Sequence, residues 1–161
     1  VVLLRGYEPL DVVRLPVPER FCCTVAHPAI MVSTREAREV LPREIPLRSA
    51  VSQWGNVGGL VAGLMSGDVE LVGRSMRDVV AEPHRKRFIP GFDSLRDVVL
   101  EAGALAMNIS GAGPSVFALS SSMETAARVG KVMKAHFADR GISSDIYVSK
   151  VSNRGARVLN D

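Results

Sequence analysis

The chain has 161 residues, of which 47% are hydrophobic and 23% charged, with 20 Lys and Arg against 17 Asp and Glu. This length and apolar content predict a domain with a buried core and exclude a disordered chain. The charges are interspersed without a basic run, and no apolar stretch reaches the roughly 18 residues that cross a bilayer, so neither nucleic acid nor a membrane is an expected partner. The adjacent cysteines Cys22 and Cys23 favour a reducing compartment such as the cytoplasm.

Short strands are predicted in the first part of the chain. Residues 1–5 and 10–17 are β-rich runs that could pair or extend a sheet. The apolar run 21–26 predicts a buried strand that His27-Pro28 ends, with the two cysteines on opposite faces. Because the chain opens with Val-Val-Leu-Leu, as if inside a strand, we expect it to be part of a longer protein.

Four helices are predicted in the middle of the chain from capping residues followed by apolar residues at helical spacing. Their predicted bounds are Ser33 to Pro42, Leu47 to Met65, Asp68 to Pro83, and Asp93 to Gly103. The second contains four glycines, each of which costs up to about 1 kcal/mol relative to alanine, so another element should pack closely against it. Its Trp54 is expected to fill the core.

The last third predicts strands at 105–109 and 115–119 around a glycine-rich turn, and then a helix opened by a capping box at 121–124. A final strand is predicted at 146–151. This order predicts an α+β fold with a ferredoxin-like split βαβ sheet, in which two or three extra helices are inserted after the first helix.

The turn between those two strands is the first candidate site. It comprises Ser110, Gly111, Ala112, Gly113 and Pro114, followed by Ser115. Glycines allow positive φ and let successive main-chain N–H groups converge on an anion such as phosphate. No lysine follows them, so the segment is not a Walker loop. The alternative is a plain turn without a ligand.

The second candidate is the loop 82–92, in which Pro83 and Pro90 frame three basic side chains and a histidine. Arginine is the side chain best shaped to hold a carboxylate or phosphate by two parallel bonds, which makes Arg85 a candidate contact. The alternative is a solvated basic loop. Lys150 and Arg154 beside the final strand could also face a ligand. The residue spacing predicts no metal site.

Taken together, these segments resemble the homoserine kinase family of the GHMP small-molecule kinases. Residues 109–115 (ISGAGPS) are similar to the third glycine motif of that superfamily, and 82–85 (EPHR) with 89–92 (IPGF) to its EPxR…PG segment. The ending 155–159 (GARVL) and the segment 7–11 (YEPLD) also match family patterns. The resemblance covers nearly the whole chain, in the right order.

The resemblance implies a reaction, a domain division and roles for the matching residues. The expected reaction transfers the ATP γ-phosphate to the side-chain hydroxyl of L-homoserine, with Mg²⁺, on the route to threonine. Residues 1–18 would be the end of an N-terminal domain and 19–161 a GHMP kinase C-terminal domain. Arg85 and Lys150 would bind the substrate, whereas the residues near the transferred phosphate would be Ser110, Gly111, Ala112 and Gly113. The catalytic base stays unassigned.

The family's nucleotide loop, of the PxxxGLGSS type, has no counterpart in these residues, so the resemblance implies that this chain alone is inactive. The expected partners are L-homoserine and ATP, and a homodimer is left open. Two alternatives stay open as well. One is a kinase for mevalonate derivatives or sugars, and the other is a non-catalytic ferredoxin-like module that binds an amino acid or a regulatory partner.

Overall fold

The computed structural model describes residues 1–153, 155 and 158. The strands are Val2–Tyr7 (β1), Leu10–Arg14 (β2), Cys22–Pro28 (β3), Ala106–Ile109 (β4), Val116–Ser120 (β5) and Ser144–Lys150 (β6). The helices are Thr34–Glu39 (α1), Leu47–Ser66 (α2), Val69–Ser75 (α3), Glu82–Arg85 (α4), Phe92–Glu101 (α5) and Met123–Ala138 (α6), and a 3₁₀ turn, Lys86–Phe88, follows α4. None of the helices in this part of the chain is both long and apolar enough to span a membrane.

The central sheet has the strand order β4-β5-β3-β6, with antiparallel neighbours throughout. This arrangement confirms the expected α+β fold with a split βαβ sheet. The expected place of the extra helices is wrong, because the sheet is covered by α5 and the additional helices precede it. In the six-residue α1 only Ala37 is buried, whereas α5 buries Phe92, Leu95 and Val99 along one face.

One face of the four-stranded sheet is covered by α5 and α6, and we call it the closed side. Alternate residues of β3 and β5 meet apolar residues of the two helices there. The fully buried members of this cluster are Ala26, Leu95, Val99, Val116, Ala118, Val129, Met133 and Phe137. Gly130 lets α6 lie close to the sheet, since a Cβ at that position would come within 2.9 Å of Ile146.

The opposite face, which we call the open side, is only partly covered by α2 and α3. Phe21, Leu64, Val72 and Leu119 form a smaller buried cluster there. Beside that cluster lies an apolar cleft of about 450 Å³, whose lining includes Phe117. The open side therefore leaves apolar surface accessible, whereas the closed side leaves almost none.

The strands β1 and β2 form a separate two-stranded antiparallel sheet. The prediction that these runs could pair is thereby confirmed, and they pair with each other. Several of their apolar side chains are exposed, among them Val2, Leu4, Tyr7 and Leu10. The division at residues 18 and 19 stays a prediction.

Two predicted ends in the first part of the chain are wrong. The strand β3 runs on through Pro28, which lies at its last position opposite Ser144 of β6, where a missing N–H is tolerated. The helix that should have continued to Pro83 ends at Ser75 instead. The Asp78 carboxylate accepts hydrogen bonds from the next main-chain N–H groups, at 2.8–3.2 Å, and starts the separate helix α4. Pro83 lies in the first turn of that helix, where proline is accepted.

The predicted caps of two helices are also displaced, by two residues in α5 and by one residue in α6. The helix α5 begins at Phe92, directly after Gly91, whose φ of 72° breaks the preceding turn, so Asp93 lies inside the first turn. The cap of α6 is Ser122, whose hydroxyl accepts from the N–H of Thr125 at 3.1 Å. The predicted capping box at 121–124 therefore places the cap one residue too early.

The expectation that Trp54 fills the core is wrong, since its side chain is 64% exposed. The expected close packing of α2 holds for two of its four glycines. Gly59 and Gly63 face α3, where a Cβ on Gly63 would come within 2.9 Å of a main-chain nitrogen. Gly55 and Gly58 face open space, with nothing within 4 Å of a Cβ.

Candidate functional site

The side chain of Arg85 links the two segments that the sequence singled out. Its Nε donates to the main-chain oxygen of Ala37 at 3.0 Å, and its Nη1 donates to that of Gly111 at 3.0 Å. Within the described residues, Nη2 donates no hydrogen bond. The structure thus brings Arg85 to the glycine turn and leaves one guanidinium nitrogen available to a ligand.

The glycine turn is held by its own main chain. The N–H of Ser110 donates to the oxygen of Ser115 at 2.8 Å, and the N–H of Gly113 donates to that of Ser110 at 3.0 Å. The N–H groups of Gly111 and Ala112 have no protein acceptor within the part of the chain that the structure describes. A Cβ on Gly111 would meet nothing within 4 Å, so this side of the turn is open. Adjacent unpaired N–H groups of this kind can bind an anion.

Ser115 at the end of the turn is tied to β3. Its Oγ lies 2.8 Å from Nδ1 of His27. The sequence patterns assign His27 no role beyond the end of a strand, but its side chain is exposed and contacts the turn. The two residues are 88 positions apart, so no local pattern could have paired them.

A cavity of about 30 Å³ lies against Arg85 and Gly111, and its lining also includes Asp78, Glu82 and Asn108. The Asp78 carboxylate is already occupied by the N–H groups at the start of α4. The sequence analysis missed Asp78 and Asn108. An aspartate shortly before a turn is a signal for side-chain capping and could have found Asp78.

The helix α4 is anchored by an ion pair between Glu82 and Arg96 of α5. Glu82 is buried, and Arg96 also donates to the main-chain oxygen of Met107 in β4 at 3.3 Å. The guanidinium of Arg96 lies 4.8 Å from the centre of the Phe92 ring. This pair fixes the helix that carries Arg85 to the closed side of the sheet, and sequence spacing gave no sign of it.

The other two basic side chains of the loop do not reach the glycine turn. Lys86 forms an ion pair with Asp93 at 2.7 Å, and Arg87 lies over the ring of Phe88 at 5.1 Å. For Lys86 and Arg87, the alternative of a solvated basic loop describes the structure better than a ligand site does.

Lys150 lies at the other end of the sheet. It pairs with Cys22, which also pairs with Ser120 at the far end of β5, whereas the glycine turn adjoins Val116. A strand of this length separates the two ends by about 13 Å at roughly 3.3 Å per residue. Lys150 instead lines the apolar cleft, so the structure does not bring it to Arg85. Its role stays a prediction, and Arg154 lies outside the described residues.

The cysteines and His136 do not lie in environments that activate a catalytic group. Burial raises the pKa of the Cys23 thiol, and neighbouring Cys22 raises it further, which disfavours the reactive thiolate. Burial lowers the pKa of His136, with a smaller contribution from Arg140. The described residues contain no group of three or more His, Cys, Asp or Glu that could hold a metal ion.

Comparison with known proteins bears directly on this site. Residues 60–139 match the family described as GHMP kinases C terminal. The chain is 50% identical over 160 residues to a homoserine kinase from Chlorobium phaeobacteroides, and 46% identical over 161 residues to one from Chlorobaculum tepidum. These alignments cover 98% and 99% of this chain, and 50% of each relative. The chain thus spans about half the length of the curated relatives it matches.

A solved structure agrees with these matches. The crystal structure of homoserine kinase from Cytophaga hutchinsonii aligns with a TM-score of 0.91 at 55% sequence identity, over 93% of this chain and 48% of that one. The resemblance of residues 82–92 and 109–115 to homoserine kinases is therefore confirmed. The chain belongs to the GHMP kinase superfamily and carries its C-terminal domain.

Proposed function

We propose that the protein containing this chain transfers the ATP γ-phosphate to the side-chain hydroxyl of L-homoserine, giving O-phospho-L-homoserine. Its similarity to homoserine kinases over nearly the whole chain supports this reaction. The observation that carries it is the contact of Arg85 with the glycine turn. That contact puts a cation suited to a carboxylate beside N–H groups suited to a phosphoryl group.

In this proposal each part of the site binds one anionic group. The free Nη2 of Arg85 receives the carboxylate of homoserine, and the N–H groups of Gly111 and Ala112 face the phosphoryl oxygens. When bound, ATP supplies the transferred phosphate and Mg²⁺ neutralises its charge. The unpaired N–H groups and the cation fit such anions, whereas we assign Mg²⁺ to no residue of this chain.

Several finer expectations belong to the same proposal. They are the place in threonine biosynthesis, the cytoplasmic location, and the division into an N-terminal domain ending near residue 18 and a C-terminal domain. The position of Lys150 at the far end of the sheet supports no shared site with Arg85. Arg85 is therefore the residue on which the substrate assignment is best tested.

The test uses the complete product of the gene that encodes this chain, assayed with Mg-ATP and a panel of amino alcohols, sugars and mevalonate. We expect a clear preference for L-homoserine. The Arg85→Ala variant should raise the KM for homoserine about 10- to 100-fold, as the loss of a charged hydrogen bond worth about 1.5–3 kcal/mol predicts, with little change in the KM for ATP. The matched control is Arg87→Ala, because Arg87 lies over Phe88 and away from the turn.

The two parts of the proposal can fail separately. Activity on another alcohol with none on homoserine would contradict the function. A homoserine kinase in which Arg85→Ala raises the KM for ATP alone would leave the function standing and refute the role of Arg85.

A further inference from the structure

The hydrogen bond between His27 and Ser115 joins the glycine turn to an inner strand of the sheet. The Oγ of Ser115 lies 2.8 Å from Nδ1 of His27. This contact crosses between neighbouring strands, since Ala26 of β3 pairs with Val116 of β5 at the adjacent position. The main-chain oxygen of Ser115 also accepts from the N–H of Ser110 at 2.8 Å. Ser115 therefore closes the turn with its main chain and ties it to β3 with its side chain.

The turn itself has a flexible main chain. Gly111 and Gly113 have φ values of 60° and 84°, in the left-handed region, and glycine is the residue with the most conformational freedom to lose. Within the described residues, two side chains from elsewhere in the chain form hydrogen bonds with this turn. The Nη1 of Arg85 donates to the oxygen of Gly111 at 3.0 Å, and His27 contacts Ser115 at the other end.

We propose that His27 is a positioning residue for phosphoryl transfer, which acts through Ser115 on the glycine turn. This role rests on the proposed function, in which the N–H groups of Gly111 and Ala112 face the phosphoryl oxygens. Such donors stabilise a transition state best when they are fixed before the reaction, because they then need no further ordering. Arg85 orients the N–H of Ala112 directly, since the oxygen that it binds belongs to the same peptide group. His27 restrains the opposite end of the turn.

The surroundings of His27 separate this role from a general effect on stability. Its side chain is exposed, and it borders a hollow of about 300 Å³ whose lining also includes Ala29, Ser143 and Asp145. An exposed side chain beside open space leaves no cavity in the core when it is replaced. Substitution of His27 should therefore change the Tm by no more than about 2 °C, as for other surface positions.

The variants are made in the complete product of the gene that encodes this chain, assayed with Mg-ATP and L-homoserine. His27→Leu removes the ring nitrogen, whereas His27→Asn has nearly the size of leucine and keeps a polar atom at the position of Nδ1. Ser115→Ala removes the other partner of the hydrogen bond. Its matched control is Ser143→Ala, because Ser143 is exposed beside the same hollow and its hydroxyl forms no hydrogen bond within the described residues.

We expect His27→Leu and Ser115→Ala each to lower kcat about 3- to 10-fold, as the loss of one hydrogen bond predicts, and to change the KM for homoserine less than about 2-fold. His27→Asn should recover most of the lost activity. The double variant of His27→Leu with Ser115→Ala should lose no more than either single variant, because both remove the same bond. This pattern is the reverse of that expected for Arg85→Ala, which acts on the KM for homoserine.

Nuclear magnetic resonance tests the same contact without turnover. The ¹⁵N relaxation of the Gly111 and Ala112 amides in the ligand-free gene product reports how firmly the turn is held. Their order parameters should fall in His27→Leu and stay near the wild-type values in His27→Asn. Ser143→Ala should change neither the order parameters nor the kinetics.

Several results would overturn the proposal. They are an unchanged kcat in His27→Leu, a rise in the KM for homoserine alone, losses that multiply in the double variant, and unchanged order parameters of the turn. The proposed function fails by a different result, which is activity on another alcohol with none on homoserine. The same variants measured with that alcohol would then still decide the role of His27.

Discussion

The two sides of the four-stranded sheet differ in how completely this chain covers them. On the closed side, Val116, Val129, Met133 and Phe137 are all 0% exposed beneath α5 and α6. On the open side, α2 and α3 leave an apolar cleft of about 450 Å³, and Phe117 lines it. The closed side is thus a core that the chain completes alone, whereas the open side keeps apolar surface accessible.

The helix α2 repeats this contrast on a smaller scale. Its inner side is packed so closely on α3 that a Cβ at Gly63 would come within 2.9 Å of a main-chain nitrogen. The side of α2 that faces away from α3 has an exposed Trp54 and open space at Gly58. The folding free energy of the domain should therefore come mainly from the closed side.

A matched pair of phenylalanine substitutions gives the largest expected difference. Phe137→Ala on the closed side should lower the free energy of unfolding by about 3–5 kcal/mol, because a fully buried ring leaves a cavity. Phe117→Ala beside the cleft should cost only about 1–2 kcal/mol, since its ring already borders open space. Urea denaturation followed by circular dichroism measures both. Equal losses would contradict the contrast between the two sides.

Two ion pairs give a second, smaller difference in stability, between a buried pair and an exposed one. Glu82 pairs with Arg96 against the closed side, and their side chains are 9% and 27% exposed. Glu82→Gln should cost about 2–4 kcal/mol, because it leaves the arginine charge partly buried without its partner. Asp93→Asn removes the more exposed partner of Lys86 and should cost less than about 1 kcal/mol. Thermal unfolding of both variants measures the two losses of stability. A similar loss in Glu82→Gln and Asp93→Asn would mean that Glu82 does not form the buried ion pair with Arg96.

The glycine turn and Arg85 were each visible in the sequence, because glycine clusters and a proline-framed basic loop are local signals. Their contact through the oxygen of Gly111 joins residues 26 positions apart, and the contact of His27 with Ser115 joins residues 88 apart. Such pairs depend on how loops and side chains from distant parts of the chain are placed around the sheet, which local patterns do not encode. The split βαβ type of the sheet, by contrast, followed from the order of strands and helices along the chain.

The wrong expectations have a related cause. The apolar spacing of α2 correctly predicted a helix, but spacing does not say whether another element covers a given side, and so Trp54 was placed in the core. The predicted helix end at Pro83 ignored Asp78, whose carboxylate offers the main chain an alternative to continued helix. The role of Lys150 stays a prediction, and sequence patterns alone do not tell at which end of the sheet this residue lies.

The smallest expected effect is a pH dependence that arises next to the closed side. The Nε2 of His136 lies 3.1 Å from the oxygen of Gly91, and burial, with a further contribution from Arg140, lowers the pKa of this histidine in the folded state. The unfolded chain therefore binds a proton at higher pH than the folded one, with an ordinary histidine pKa of about 6.5. This contribution to stability is complete above that value and is lost as the pH falls through it. The unfolding free energy measured between pH 7.5 and 5 should fall most steeply in wild type, less in Arg140→Gln, and least in His136→Gln, and identical slopes in all three would contradict the assignment to His136.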